Sequence, residues 1–386
     1  MPATREVVSL RLSDAERVYL EELRIAEGLS SFSEAVRYCI HQVARSNSNT
    51  ASILSQLRTR SSYIGPGDIL VSAEALKQLR EAGVSAEPLL GPIADCFRNH
   101  TSSFGFPLPS SPGTLAEVLT ELGEGKERSS SAYLKSVFPS YWSAGKGLSE
   151  RICEAGYLEA MLKYRVGLNS SGETFDIGWK DLYKAAQVQK RVVSFFRPAV
   201  ARKIYLKYQP TRAWDPSSGF GGRMLGFHSA TNGGGFYFGN EPASPTFTDN
   251  LKLARSLGSN IFMAQLGSEH GHPGIDKGSI DLVFTSPPYF NKEKYFNDST
   301  QAWFGRTHEQ WSDEYVKPTL QHAFSYLKPG GFLVLNVPSA EPWASIARSV
   351  GFPDPTTSIF PSRPNVMAKH RGKNAYNELL IEWRKP

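Results

Sequence analysis

The ten residues DLVFTSPPYF, Asp281 to Phe290, carry the most specific chemistry in the chain. An apolar run of strand length ends in Ser286-Pro287-Pro288-Tyr289. Each proline removes a backbone donor and fixes φ, so the corner is stiff and its carbonyls stay free to accept hydrogen bonds. Carbonyl oxygens and a hydroxyl converging on one point suit an NH2 group, which offers two protons. Tyr289 adds a flat face on which a planar ring can stack. The blander alternative, a proline turn after a core strand, leaves the Ser and the Tyr together unexplained.

Two further motifs lie upstream. Asp215-Pro216-Ser217-Ser218-Gly219-Phe220-Gly221-Gly222 closes a short β-rich run, and MLGF opens a helix after it. Glycines let a backbone turn sharply and lie close to a ligand. A helix start presents free N–H groups to a carboxylate. The place suits a nucleotide-like cofactor with an amino acid end, although Gly-rich strand-to-helix turns are common and weak evidence singly. Glu241 ends the next β-rich run, GGFYFGNE, where an acidic side chain can accept both ribose hydroxyls. Standing alone it would read as a solvated strand-end carboxylate.

The elements that must position these motifs are legible from about residue 191 onward. GGFYFGNE, SNIFMAQLG, SIDLVFTS and GGFLVLNV read as strands; DNLKLARSLG and EQWSDEYVKPTLQHAFSYL between them read as helices. Such alternation predicts an α/β fold, with right-handed crossovers and a parallel sheet covered on both faces. Ligands bind at the carboxyl ends of strands in such sheets.

DPSSGFGG, followed 71 residues on (Asp215 to Ser286) by TSPPY, resembles the amino-methyltransferase family of DNA methylases. SPPYFNKEKY, YLKPGGFLVLNV and the earlier Ser194-Phe195-Phe196-Arg197-Pro198 are similar to other elements of that family, in its gamma order of motifs. The resemblance covers about residues 191–340. It implies a Rossmann-like sheet, S-adenosyl-L-methionine as cofactor, and double-stranded DNA as substrate. By the same resemblance Phe195, Phe196, Pro198, Asp215, Pro216, Ser217, Gly219, Gly221, Glu241, Ser268 and Ser286 hold the cofactor, while Ser286, Pro287, Pro288 and Tyr289 hold the target amine. Family members often carry Gly-Asp after the third strand. Here Gly267-Ser268-Glu269 stands instead, which leaves Ser268 or Glu269 to meet the adenine ring. Serine in the SPPY corner places cytosine N4 ahead of adenine N6. An amine of RNA or protein, and a DNA-binding regulator with an inactive methyltransferase fold, are the readings from other classes. Methylation at cytosine C5 is disfavoured, because it needs a nucleophilic cysteine after proline, and Cys39, Cys96 and Cys153 follow none.

The N-terminal residues 1–46 read as strand, helix, helix. Val8, Leu10 and Leu12 alternate with Val7, Ser9 and Arg11, and Ser13-x-x-Glu16 and Ser31-x-x-Glu34 are two capping boxes opening helices to about Glu27 and Ala44. The pattern resembles the ribbon-helix-helix family, which implies a homodimer with Val7, Ser9 and Arg11 facing bases. A helical hairpin capping the larger domain is the alternative. Ser-rich residues 47–66 read as a linker, residues 67–190 as a mainly helical region suited to target recognition, and residues 191–386 as the catalytic domain.

Lys and Arg total 43 against 37 Asp and Glu, a net charge of +6 that permits a polyanionic partner without demonstrating one. Tyr295 is placed with the target-base side, and Lys369 and Arg371 with phosphates, beside the plainer readings of packing and of a solvated basic loop. Glu269-His270-Gly271-His272 sits among Gly and Pro as a surface loop, so no metal site is expected. The widely spaced cysteines point to reduced thiols. With neither a long apolar run nor a signal-peptide pattern, a cytoplasmic protein is expected. A companion restriction endonuclease is among the partners such an enzyme takes.

Overall fold

The computed structural model describes the whole chain except residues 1–12, 61–63, 166–174, 190–191, 293 and 360–377. It forms two compact units. Met1–Gly105 with Ala155–Ala185 make the first, and Phe106–Glu154 with Ala186–Pro386 the second. The helical stretch 67–190 is therefore divided between them, since 106–154 belongs with the sheet. Among the described residues no helix is long and apolar enough to cross a membrane.

In the first unit, α1 (Asp14–Ala26) and α2 (Phe32–Arg60) begin where the two capping boxes place them. The second box is offset by one residue: Ser31 Oγ accepts from the Glu34 N–H (3.2 Å), but the Glu34 carboxylate returns to the Ser30 N–H (2.7 Å). Helix α2 does not stop near Ala44. It runs on through most of the stretch expected to be a linker. Ser, Asn and Thr cost only about 0.5 kcal/mol each against Ala in a helix, and the turn carrying Leu57 is held by burial. Leu57 is 1% exposed, and its carbonyl accepts from Cys96 Sγ (3.4 Å) of α3 (Leu90–Phe104). The ribbon residues Val7, Ser9 and Arg11 lie outside the described residues.

The second unit is built on a seven-stranded sheet: β1 (Arg212–Asp215), β2 (Phe236–Asn240), β3 (Ile261–Ala264), β4 (Ile280–Thr285), β5 (Leu327–Val337), β6 (Thr356–Ile359) and β7 (Leu379–Arg384). Its order is 3-2-1-4-5-7-6. Strands β1 to β5 are parallel, and β7 runs antiparallel to both β5 and β6. The chain is thus α/β with a Rossmann-like sheet, as its alternating pattern predicts, and the order over the first five strands is that of the doubly wound nucleotide-binding folds. The near-continuous apolar run of β4 follows from this position: a central parallel strand is covered on both faces. Trp214, Val283, Leu333 and Leu335 face one buried layer with Trp311 and Trp343. On the other face Phe284 packs edge-on against Phe196 and Tyr205, each 5.4 Å between ring centroids.

A proline at Asn49, an exposed position midway along α2, separates helix from linker. Asn49→Pro removes a helical hydrogen bond and clashes with the preceding turn, so stability falls by about 3 kcal/mol. Urea unfolding followed by far-UV circular dichroism reads this directly, whereas a linker would absorb the proline unchanged.

Candidate active site

The Gly-rich turn is built around a buried carboxylate. Asp215, fully buried at the end of β1, accepts from Ser217 N–H (3.2 Å) and Thr285 Oγ1 (2.9 Å) on one oxygen. Its other oxygen accepts from Tyr237 OH (2.6 Å) and Arg223 Nε (2.8 Å). Arg223 lies in α7's first turn; this helix spans Gly222–Ala230 and follows α4 (Leu115–Gly123), α5 (Arg128–Val137) and α6 (Pro198–Tyr208) in the unit. The guanidinium also donates to the Ser217 carbonyl and lies 5.2 Å from the Phe196 ring. Glycine is needed at Gly222 for a local reason. A Cβ there would fall on the Phe196 carbonyl oxygen, so only glycine lets residues 195–197 lie along the turn.

A cavity of about 640 Å³ opens beside this turn, a size suited to a small ligand. Phe195, Phe196, Pro216, Ser217, Gly219, Glu241 and Ser268 line it on the side of the Gly-rich turn, and Ser286, Pro288, Tyr289 and Tyr295 on the side of the SPPY corner. Glu241 accepts from the Gly219 N–H (3.2 Å) and the Ala243 N–H (3.0 Å). Burial nonetheless pushes its carboxyl up to about 7, outweighing the two N–H groups that favour the anion. Ser268 is buried, with its Oγ 2.8 Å from Thr319 Oγ1.

At the corner, Ser286 Oγ and Tyr289 OH are 3.1 Å apart, and the Tyr289 hydroxyl donates to the Asn336 carbonyl on β5 (3.2 Å). The ring is thereby tied to two strands. The Asn336 side chain, which also lines the cavity, donates from Nδ2 to the Leu379 carbonyl (3.3 Å). Tyr295 N–H is held by the buried Gln301, whose Oε1 accepts it at 2.9 Å.

Several residues named from the sequence stand elsewhere. Asp215 is behind the wall, where its four donors leave it a scaffold of the turn and not a wall residue. Gly221 is the N-cap of α7 at φ 72°, and Pro198 is a buried first residue of α6; neither lines the cavity. Pro287 is buried beneath the corner, so Ser286 and Pro288 present its accessible face. Lys369 and Arg371 lie outside the described residues. His272 is tied to backbone, with Nε2 3.3 Å from the Phe262 carbonyl and Nδ1 accepting from the Gly274 N–H (3.1 Å).

The wall also contains Glu269, one of the two residues left open for the adenine ring, and residues the motifs did not mark. Thr246 Oγ1 and Glu269 Oε2 are buried, have no hydrogen-bond partner among the described residues, and belong to residues lining the cavity. Tyr315 reaches it from a single π turn, Ser312–Val316, with its hydroxyl 3.3 Å from Ser217 Oγ. Pro318, just beyond, cannot donate an N–H, which accounts for a widened turn at this place. Asn336 left a legible signal, a polar residue near the end of an apolar strand, whereas Thr246 and Tyr315 left none.

No family model matches the chain. Over 106 residues it is 36% identical to the type II methyltransferase M.BglI of Bacillus subtilis, a stretch that is 28% of this chain and 25% of that relative. It is similar in structure to TrmN from Thermus thermophilus, at 15% identity and a TM-score of 0.36, covering 50% of this chain and 49% of that one. It is also similar to the 1,6-didemethyltoxoflavin-N1-methyltransferase of Burkholderia thailandensis with bound S-adenosylhomocysteine, at 13% identity and a TM-score of 0.34, covering 48% and 76%.

Two substitutions test the electrostatics. Arg223→Met strands the Asp215 carboxylate without its cation and should cost about 3–5 kcal/mol in urea unfolding, with part recovered in the Asp215→Asn/Arg223→Met double variant. Glu241 acts through pH. Its folded value is raised above the ordinary 4.5, so the stability it confers is complete below that pH and is lost as pH rises through about 7. Glu241→Gln should remove this slope. An unfolding free energy that changes equally for both proteins between pH 4.5 and 8 would show that Glu241 does not titrate as described.

Proposed function

We propose that the chain is an S-adenosylmethionine-dependent DNA methyltransferase that modifies the exocyclic amine of a base, cytosine N4 ahead of adenine N6. The observation that carries this reading is one cavity lined both by the Gly-rich turn with Glu241 and by the Ser286–Tyr289 pair. The partial likeness to a type II methyltransferase supports a methyl-transfer role for the same chain.

The wall suits the cofactor. Two buried oxygens without partners, Thr246 Oγ1 and Glu269 Oε2, are available to a ligand rich in donors. Glu241 accepts ribose hydroxyls, Phe195 and Phe196 give an apolar surface, and the Gly-rich turn meets the amino acid end. When bound, S-adenosylmethionine would supply a methyl group on a positive sulfonium, with the neutral thioether as the leaving group. The protein's own work is mainly positioning. A target base must leave the duplex, because its amine is out of reach inside the stack. Tyr289, its ring held by the Asn336 carbonyl, stacks on that base. Ser286 Oγ accepts a hydrogen bond from the amine, and not its proton, and so turns the nitrogen lone pair toward the methyl donor; the proton the amine sheds leaves to solvent. Ser286 acts as an acceptor and forms no covalent bond. The N-terminal segment dimerises and holds the enzyme on DNA.

The test is transfer of labelled methyl to unmethylated DNA, followed by digestion to nucleosides. Label in N4-methylcytosine is expected. Label in N6-methyladenine would reassign the base, and label only in RNA or protein would reassign the substrate. Absence from all of them, with cofactor bound, would leave a DNA-binding regulator. Ser286→Ala should lower kcat by about a hundredfold, as loss of one preorganised polar contact does elsewhere, with cofactor affinity nearly unchanged.

A further inference from the structure

We infer that the turn at residues 144–147, with Gly145 at its centre, is a positioning element for the base side of the cavity. On this view the 106–154 segment supports the substrate wall from behind, through Tyr295. The identity of the substrate rests on the DNA methyltransferase reading; the mechanical role of the turn does not.

The connection is made by backbone. Gly145 N–H donates to the Tyr295 carbonyl at 2.7 Å. On the other side of that residue, Tyr295 N–H and Phe296 N–H donate to Gln301 Oε1 at 2.9 and 3.4 Å. Tyr295, Phe296 and Gln301 all line the cavity. The loop following the SPPY corner is thus gripped at Tyr295 from both sides, once by its own glutamine and once by Gly145.

The grip admits only glycine. Gly145 has φ 68°, and a Cβ on it would lie 2.7 Å from the Lys294 carbonyl oxygen and 3.1 Å from Val193 Cγ1. Lys146, next in the chain, is also left-handed at φ 54°. A non-glycine residue there carries a strain of about 1 kcal/mol or more, which persists only where the surroundings over-determine the backbone. Both Gly145 and Lys146 are exposed, so core burial does not explain a strained conformation at this turn.

The preceding short helix, Pro139–Ser143, fixes where the turn stands. Ser140 N–H donates to Asp249 Oδ2 at 3.0 Å. Tyr141 packs edge-on against both Phe195 and Phe220, at 5.5 Å each, and Phe220 lies 6.1 Å from the Tyr295 ring. Residues 139–145 therefore bridge the cofactor side of the wall and the base side. Because the Gly145 N–H donates to the base side, and what Gly145 meets toward the other is the end of the Val193 side chain, its replacement should act mainly on the substrate and largely spare the cofactor.

The test uses the full chain carrying Gly145→Ala, with unmethylated plasmid DNA as substrate. KM for DNA should rise about tenfold, which is roughly 1.4 kcal/mol of binding, while cofactor affinity by calorimetry stays within twofold. Trypsin, with fragments mapped by mass spectrometry, should cut after Lys292 and Lys294 about tenfold faster than in the parent, as a local opening made easier by roughly 1.4 kcal/mol would allow. Should Gly145→Ala fail to fold, Gln301→Leu releases the same loop from its other side and should show the same pattern. Equal loss of cofactor and DNA affinity, or unchanged cleavage at those lysines in a folded variant, would overturn the inference. If the parent transfers no methyl to DNA, the functional reading fails, whereas cleavage and cofactor affinity still decide the role of the turn.

Discussion

A single buried carboxylate organises the active end of the sheet. Asp215 gathers donors from its own turn (Ser217), from β2 (Tyr237), from the end of β4 (Thr285) and from α7 (Arg223). Burying such a charge is costly unless every lone pair is met, and here each oxygen accepts two bonds. The consequence is geometric. Thr285 immediately precedes Ser286, so the carboxylate that shapes the cofactor turn also fixes where the SPPY corner begins. Two motifs 71 residues apart in sequence (Asp215 to Ser286) are thereby joined through one side chain.

Glu241, one strand away, is treated differently. It too is buried, but only two backbone N–H groups meet it, and the nearby guanidinium is committed to Asp215. Burial raises its carboxyl to about 7. On the proposed reading Glu241 accepts ribose hydroxyls, which requires room for new donors that an ion-paired carboxylate has little of. The division of labour follows: Arg223 serves the scaffold, and the carboxyl left without a cation faces the cavity.

Much of this was legible in the residues themselves. Strands β1 to β5 declare themselves as short apolar or β-rich runs, and the Gly-rich turn and SPPY corner fall at strand ends because ligand loops in parallel sheets lie there. What a motif does not disclose is the direction in which a side chain points. Asp215 reads as a cofactor residue until Arg223 and Tyr237 are seen to enclose it, and their side chains carry no mark of that pairing. Pro287 is buried and Pro288 lines the cavity, a difference that two identical residues in sequence cannot disclose. The helix α2 shows the opposite difficulty. Its Ser, Asn and Thr residues imitate a linker because local composition outweighs a few apolar positions, of which Leu57 finds burial only in the tertiary structure. The grip of Gly145 on Tyr295 was invisible, since two backbone groups make it.

The sheet order accounts for the separation of the two halves of the cavity. Successive strands run outward one way from β1 through β2 to β3, and the other way from β4 to β5. Loops leaving β1 and β4 therefore diverge, opening a crevice between neighbouring strands whose carboxyl ends are in register, Ala213 with Leu282 and Trp214 with Val283. Donor and acceptor of a transferred group need different surroundings, one rich in hydrogen-bond acceptors for hydroxyls and one flat and stiff for a planar ring. The divergence supplies both without a second domain, and tethers across the crevice keep them at fixed separation. Thr285 to Asp215 is one tether, Tyr315 to Ser217 a second, and Tyr289 to the Asn336 carbonyl holds the ring from the β5 side. On the proposed reading, transfer between two bound groups depends steeply on their spacing, so these three hydrogen bonds would bear on rate as well as on stability.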